Sequence, residues 1–125
     1  MKRHSSKNNH QNAPPGLRCR GRVWIEKDGV TYLGFGRMVL LERIREFGSI
    51  SGAAKSMKMS YKHAWDLVDS MNRHSREPLV STSKGGKGGG GACLTQTGEL
   101  ALKEYAALLD RLDNFLTEET SRLQI

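Results

Sequence analysis

Four consecutive residues, Ser60-Tyr61-Lys62-His63, carry the side chains of this 125-residue chain best placed for recognition. A hydroxyl, a phenol, an ammonium and an imidazole in a row offer hydrogen-bond donors to phosphate oxygens or to the acceptor edges of bases. Lys62 can reach a guanine edge or a phosphate, and Tyr61 and His63 can contact bases or backbone. Ser60 can donate to a phosphate, although a helix N-cap role alone accounts for it. Covalent chemistry has no such support. The sequence holds no Ser/His/Asp or Cys/His constellation, and Asp66 and Asp69 read as charge partners of nearby basic side chains. The chain is therefore expected not to be an enzyme.

A second cluster lies at Lys84-Gly-Gly-Lys87-Gly-Gly-Gly-Gly, which holds six of the fourteen glycines. Backbone N–H groups freed of side chains, with Lys84 and Lys87 beside them, can approach a phosphate chain closely. The nucleotide-binding spelling G-x-x-x-x-G-K-[ST] is absent, because Gly86-Lys87 is followed by Gly88 and the upstream Gly is missing. No βαβ unit surrounds it. The loop instead suits a basic connection between two strands, Leu79–Ser83 and Ala92–Leu94. Cys19 and Cys93 are far apart and His4 and His10 stand in a polar tail, so no zinc spacing arises and no metal or other cofactor is expected.

The elements that must position these groups can be read outward from residues 48 to 72. Gly48 can take the positive φ that closes a preceding helix, and Ser49 or Ser51 can cap the next, a short helix near 51 to 57 with small Ala53 and Ala54. Ser60 caps a second helix over about 61 to 72, whose Ala64, Val68 and Met71 form one inward stripe and leave Tyr61, Lys62 and His63 outside. Trp65 lies one position past that stripe, to flank a bound backbone or wedge against a support helix. Two helices at a tight turn, the second with donors at its N-terminal end, form the layout of a helix-turn-helix. A support helix is expected over 37 to 47, with Leu40, Ile44 and Phe47 inward. Arg73 and Arg76 come after the second helix and could serve phosphates. Before all this, residues 22 to 33 read as a β-hairpin about Asp28-Gly29, with Trp24 and Tyr32 packed across it.

Charge favours a polyanionic partner. The net charge is +7 with pI about 9.7, and residues 1 to 20 hold five basic residues and no acid. Residues 43 to 87 carry nine Lys or Arg against four acids, whereas 99 to 125 carry three against six. Residues 1 to 20 are expected to be a disordered basic tail, and 21 to 125 a single domain. With no run of about 18 apolar residues and no apolar leader, a cytoplasmic protein without membrane contact is expected.

The last segment reads as one long helix, 96 to 121, capped by Thr95 or Thr97. Leu102, Leu109, Leu116 and Leu123 repeat every seven residues, with Tyr105 and Leu112 at the interleaved position. Ala101, Leu108 and Phe115 add an adjacent stripe. Such a wide apolar face predicts a homodimer, with Tyr105, Leu109, Leu112 and Leu116 along its seam.

Taken together, Gly48-Ser49-Ile50-Ser51, Ala53-Ala54-Lys55, Ser60-Tyr61-Lys62-x-Ala64-Trp65-Asp66, Met71-Asn72 and Gly85-Gly86-Lys87-Gly88-Gly89-Gly90-Gly91-Ala92-x-Leu94-Thr95-x-x-Gly98 resemble the N-terminal DNA-binding domain of the ModE family of molybdate-responsive transcription regulators. The resemblance covers about residues 34 to 110, and its Leu-Thr-x-x-Gly ending is also similar to the winged domains of LysR-type regulators. It implies an α+β, mostly α, winged helix-turn-helix with an N-terminal β-hairpin and a long C-terminal dimerisation helix. It further implies a homodimer that binds palindromic operator double-stranded DNA near molybdenum transport and cofactor genes. Family members that sense molybdate do so in domains C-terminal to this one, and the sequence stops at Ile125. Molybdate is thus not expected to bind this chain directly. A protein-interaction or RNA-binding module on the same fold is the alternative.

Overall fold

The computed structural model describes residues 15–84 and 90–125. These are α+β and mostly α, in the order β1 (Ile25–Lys27), β2 (Val30–Leu33), α1 (Phe35–Phe47), α2 (Ile50–Ser56), α3 (Tyr61–Arg73), β3 (Val80–Ser83), β4 (Gly91–Leu94) and α4 (Gln96–Arg122). They fall into two compact units, 24–105 and a second in which 106–125 meets the N-terminal residues as far as Val23.

In the larger unit, β1 and β2 pair antiparallel about Asp28 and Gly29, both at positive φ, the geometry of a two-residue type I′ turn. An irregularity between Ile25 and Glu26 pairs Ile25 with Leu33 and Glu26 with Thr31. Trp24 and Tyr32 are therefore not the cross-strand pair expected. The Trp24 ring is half exposed, with Nε1 donating to Glu26 Oε2, while the Tyr32 hydroxyl lies 2.6 Å from that of Ser75.

Helix α1 starts two residues earlier than expected, because extended Gly34 stands at its N-cap and Phe35 and Gly36 are already helical. Met38, Leu40, Leu41 and Ile44 are its buried residues; Phe47, expected inward, is half exposed. Gly48 at φ 73° ends the helix, its N–H bonded to Ile44 O, and its own carbonyl accepts from Ala92 of β4 at 2.9 Å. The Ser49 hydroxyl then caps α2 through Gly52 N–H, and Ser60 caps α3 through His63 N–H. Between them Lys58 takes φ 56°, a left-handed residue that tightens the turn.

Ala53, Ala54, Ala64, Val68 and Met71 are all buried, as their spacing requires. Polar ties join α1 to α2 and α3: Arg43 donates to the carbonyl and hydroxyl of Ser56, and Arg37 to the Ser70 hydroxyl. Burial lowers the Arg37 guanidinium pKa from its ordinary value.

The second hairpin pairs Val80 with Leu94, Ser81 with Cys93, Thr82 with Ala92 and Ser83 with Gly91. Most of its connecting loop, including Lys87, lies outside the described residues. Thr95 joins hairpin to helix: its N–H donates to Leu79 O, its hydroxyl to Pro78 O at 2.6 Å, and that hydroxyl accepts from Gly98 N–H, capping α4. Tyr105, expected along a dimer seam, is 1% exposed and belongs to this unit's own core with Leu102. At that exposure it has almost no surface to offer a second molecule. Burial raises its phenol pKa.

In the smaller unit the first fourteen residues lie outside those described. Residues 17–21, the stretch on either side of the expected end of the tail, are not free. Cys19 N–H donates to the Thr120 hydroxyl at 2.9 Å, and Gly21 lies against the Leu116 side chain. They are thus held on the last turns of α4, a contact too distant in sequence for local patterning to reveal. Leu108, Leu109, Leu112 and Leu116 are half-buried and Phe115 exposed. No helix among the described residues is long and apolar enough to cross a membrane.

Candidate nucleic-acid interface

The exposed side of α3 is set by its buried one. With Ala64, Val68 and Met71 committed to the core, Tyr61, Lys62 and His63 must lie outside on the first turn. Tyr61 is 55% exposed and the Lys62 side chain 81%. Ser60 serves as the N-cap, accepting from His63 N–H at 3.0 Å. That bond uses one of the two lone pairs of its hydroxyl oxygen, and its proton stays available to donate.

Lys62 Nζ sits 3.0 Å from Asp66 Oδ2, one turn along, and Arg73 Nε sits 2.9 Å from Asp69 Oδ2. Both pairs are exposed, so neither holds the fold to any large degree. The Lys62–Asp66 pair also runs in the weaker order, with the base N-terminal to the acid, and the first turn of α3 contains no acidic residue. A cation at the positive end of a helix dipole is unfavourable in the free protein and is relieved by an anion placed there. Arg73 stands at the opposite end of the helix, about 16 Å from Lys62 along the axis. The structure therefore brings Ser60, Tyr61, Lys62 and His63 together and leaves Arg73 apart.

Beside α3 runs an open groove of about 900 Å³. Tyr61 and Trp65 form its α3 side, Ser49, Ile50 and Ser51 its α2 end, and Thr82, Ser83, Lys84, Gly90 and Gly91 the side made by the second hairpin. Three connections fix that hairpin: Ala92 N–H to Gly48 O, Thr95 to Leu79 O, and the Asn72 side chain to Leu79 and Val80. Lys84 thus faces the same groove as Tyr61, which the sequence placed twenty-three residues away.

Ser49, Ser51, Thr82 and Ser83 were not singled out as contact residues by the sequence, and Trp65 was left between flanking a bound backbone and packing on a support helix. For Trp65 a signal existed. The inward stripe of α3 is complete without it, which leaves a large ring at the border of the buried face, 44% exposed. Among the described residues no group of three or more His, Cys, Asp or Glu could hold a metal ion.

No protein-family model matches the chain. It is 43% identical over 110 residues to the molybdenum transport protein ModE of Azotobacter vinelandii, covering 82% of this chain and 41% of that protein. It is 44% identical over 91 residues to the molybdenum-pterin-binding protein MopB of Rhodobacter capsulatus, covering 73% and 33%. With the DNA-binding transcriptional dual regulator ModE of Escherichia coli K12 it shares 47% over 72 residues, covering 58% and 28%. The chain spans less than half the length of each of these curated relatives. Over most of its own length it is thus related to ModE transcriptional regulators and to Mop molybdenum-pterin-binding proteins.

Proposed function

We propose that the chain is a sequence-specific double-stranded DNA-binding regulator of the ModE type, built as a winged helix-turn-helix with α3 as the recognition helix and the second hairpin as the wing. The observation that carries this reading is the first turn of α3. Its inner face is anchored in the core, its outer face presents Tyr61, Lys62 and His63, and no acid opposes them in that turn. A rigid helix with exposed donors at its N-terminal end is what major-groove entry needs. Lys84, and Lys87 in the loop, would neutralise flanking phosphates. The relatives named as transcriptional regulators support the same reading.

The half-buried residues Leu109, Leu112 and Leu116 would form the seam of a homodimer, with residues 17–21 of each chain at the edge of that seam beside Leu116. A two-fold dimer would set two recognition helices about 34 Å apart, one turn of DNA. Selection of binding sites from a random duplex pool tests the proposal. Enrichment of a motif with two-fold symmetry supports it; an unenriched pool, bound no better than duplex RNA of equal length, rejects it.

A further inference from the structure

The groove beside α3 has a lining that can be read for its occupant. Hydroxyls come to it from three separate elements, Ser51 of α2, Tyr61 of α3 and Thr82 of β3, and one ammonium, Lys84, stands at its hairpin side. Among the described residues that line it there is no carboxylate, although the chain has thirteen acids. The acids nearby on α3, Asp66 and Asp69, are already engaged with Lys62 and Arg73. Trp65 adds an exposed ring between these polar groups. An apolar peptide would find too little apolar surface here, since Ile50 is itself buried. A chain that alternates anionic groups with compact, weakly polar rings meets both parts of the lining.

We propose that this groove holds one sugar–phosphate strand of duplex DNA, with Trp65 packed on a deoxyribose face and with Ser51, Thr82 and Lys84 on the neighbouring phosphates. The assignment rests on the DNA-binding reading above and adds to it a sequence-independent contact. Phosphate and sugar contacts set register without reading bases. Trp65 therefore acts as a positioning residue whose loss weakens every duplex alike, unlike Lys62, whose loss alters sequence preference.

The 125-residue chain carrying Trp24→Phe leaves Trp65 as its single tryptophan. Fluorescein-labelled random-sequence duplex DNA of about three helical turns reports binding by anisotropy, while acrylamide quenching reports access to Trp65. The expected result is binding with clear protection of Trp65. Trp65→Ala should then lose about fivefold in affinity for random and selected duplexes alike, about 1 kcal/mol, with an unchanged salt slope because no charge is removed. Trp65→Phe should lose less. If DNA binds but Trp65 stays as accessible as before, the groove assignment is overturned while DNA binding stands. If anisotropy shows no duplex binding at low salt, both fall. Should Trp65→Ala fail to fold by circular dichroism, the quenching of intact Trp65 still decides.

Discussion

Asn72 holds Val80 by both sides of its backbone: its Oδ1 accepts from Val80 N–H at 3.2 Å and its Nδ2 donates to Val80 O at 3.1 Å. The same Oδ1 also accepts from Leu79 N–H at 2.8 Å. A side-chain amide here does what a neighbouring strand would do, and it ties the end of α3 to the start of the second hairpin. Asn72→Ala would strip these bonds from backbone groups beside the buried Leu79 and Val80 side chains. The expected loss is about 1–3 kcal/mol of stability, read by chemical denaturation. Asn72→Asp should recover only part of it, because a carboxylate cannot donate to Val80 O.

Gly98 presents the opposite constraint, a residue defined by what it lacks. A Cβ there would strike the carbonyl oxygen of Leu79, which already accepts from Thr95 N–H. Backbone cannot step aside as a flexible side chain can. Gly98→Ala should therefore lower the melting temperature, despite the higher helix propensity of alanine, which elsewhere favours it by about 1 kcal/mol. An unchanged or raised melting temperature would show that α4 shifts freely against the second hairpin.

Lys62→Ala separates recognition from stability. In the free protein Lys62 is paired with Asp66 across an exposed contact, worth less than about 1 kcal/mol. The melting temperature should hardly move. Affinity for a selected site should fall by about 1–3 kcal/mol if the contact is to a base, and preference at one position should relax. Equal affinity for the selected site would place Lys62 outside the interface.

Much of the fold is legible in the sequence because it is local. The caps at Ser49 and Ser60, the stop at Gly48, the stripe Ala64–Val68–Met71 and the Asp28-Gly29 turn each depend on a few neighbouring residues and their backbone preferences. The features that escape depend on distant partners. Tyr105 fits a heptad seam, yet it is already buried within its own chain. Residues 17–21 look too polar to pack, yet the Cys19 N–H bonds Thr120 and Gly21 lies beside Leu116. Phe47 continues the stripe of α1 but stands in its last turn, where the chain is already bending at Gly48. Trp65 is legible as a border residue, and only the position of the second hairpin reveals the groove it faces.

The dimer reading is tested at Leu109 and Leu116. Both are half-buried, and Leu116 also contacts the position of Gly21 within its own chain. Replacing both by Glu should yield monomers at micromolar concentration in sedimentation, with helical content retained by circular dichroism. Loss of one half-site contact from each complex should weaken palindrome binding far more than any single side chain does. A parent that sediments as a monomer would remove this seam.

Sequence-specific binding to duplex DNA is best measured as affinity against salt, for a selected site and a scrambled duplex of the same composition. The account predicts that affinity for both falls steeply and linearly on logarithmic axes as phosphate counterions are displaced, with the selected site stronger throughout. Lys84→Ala should flatten both slopes by about two units, one for each protomer of the dimer. Binding that is indifferent to salt, or a selected site no tighter than its scramble at any salt concentration, would contradict it.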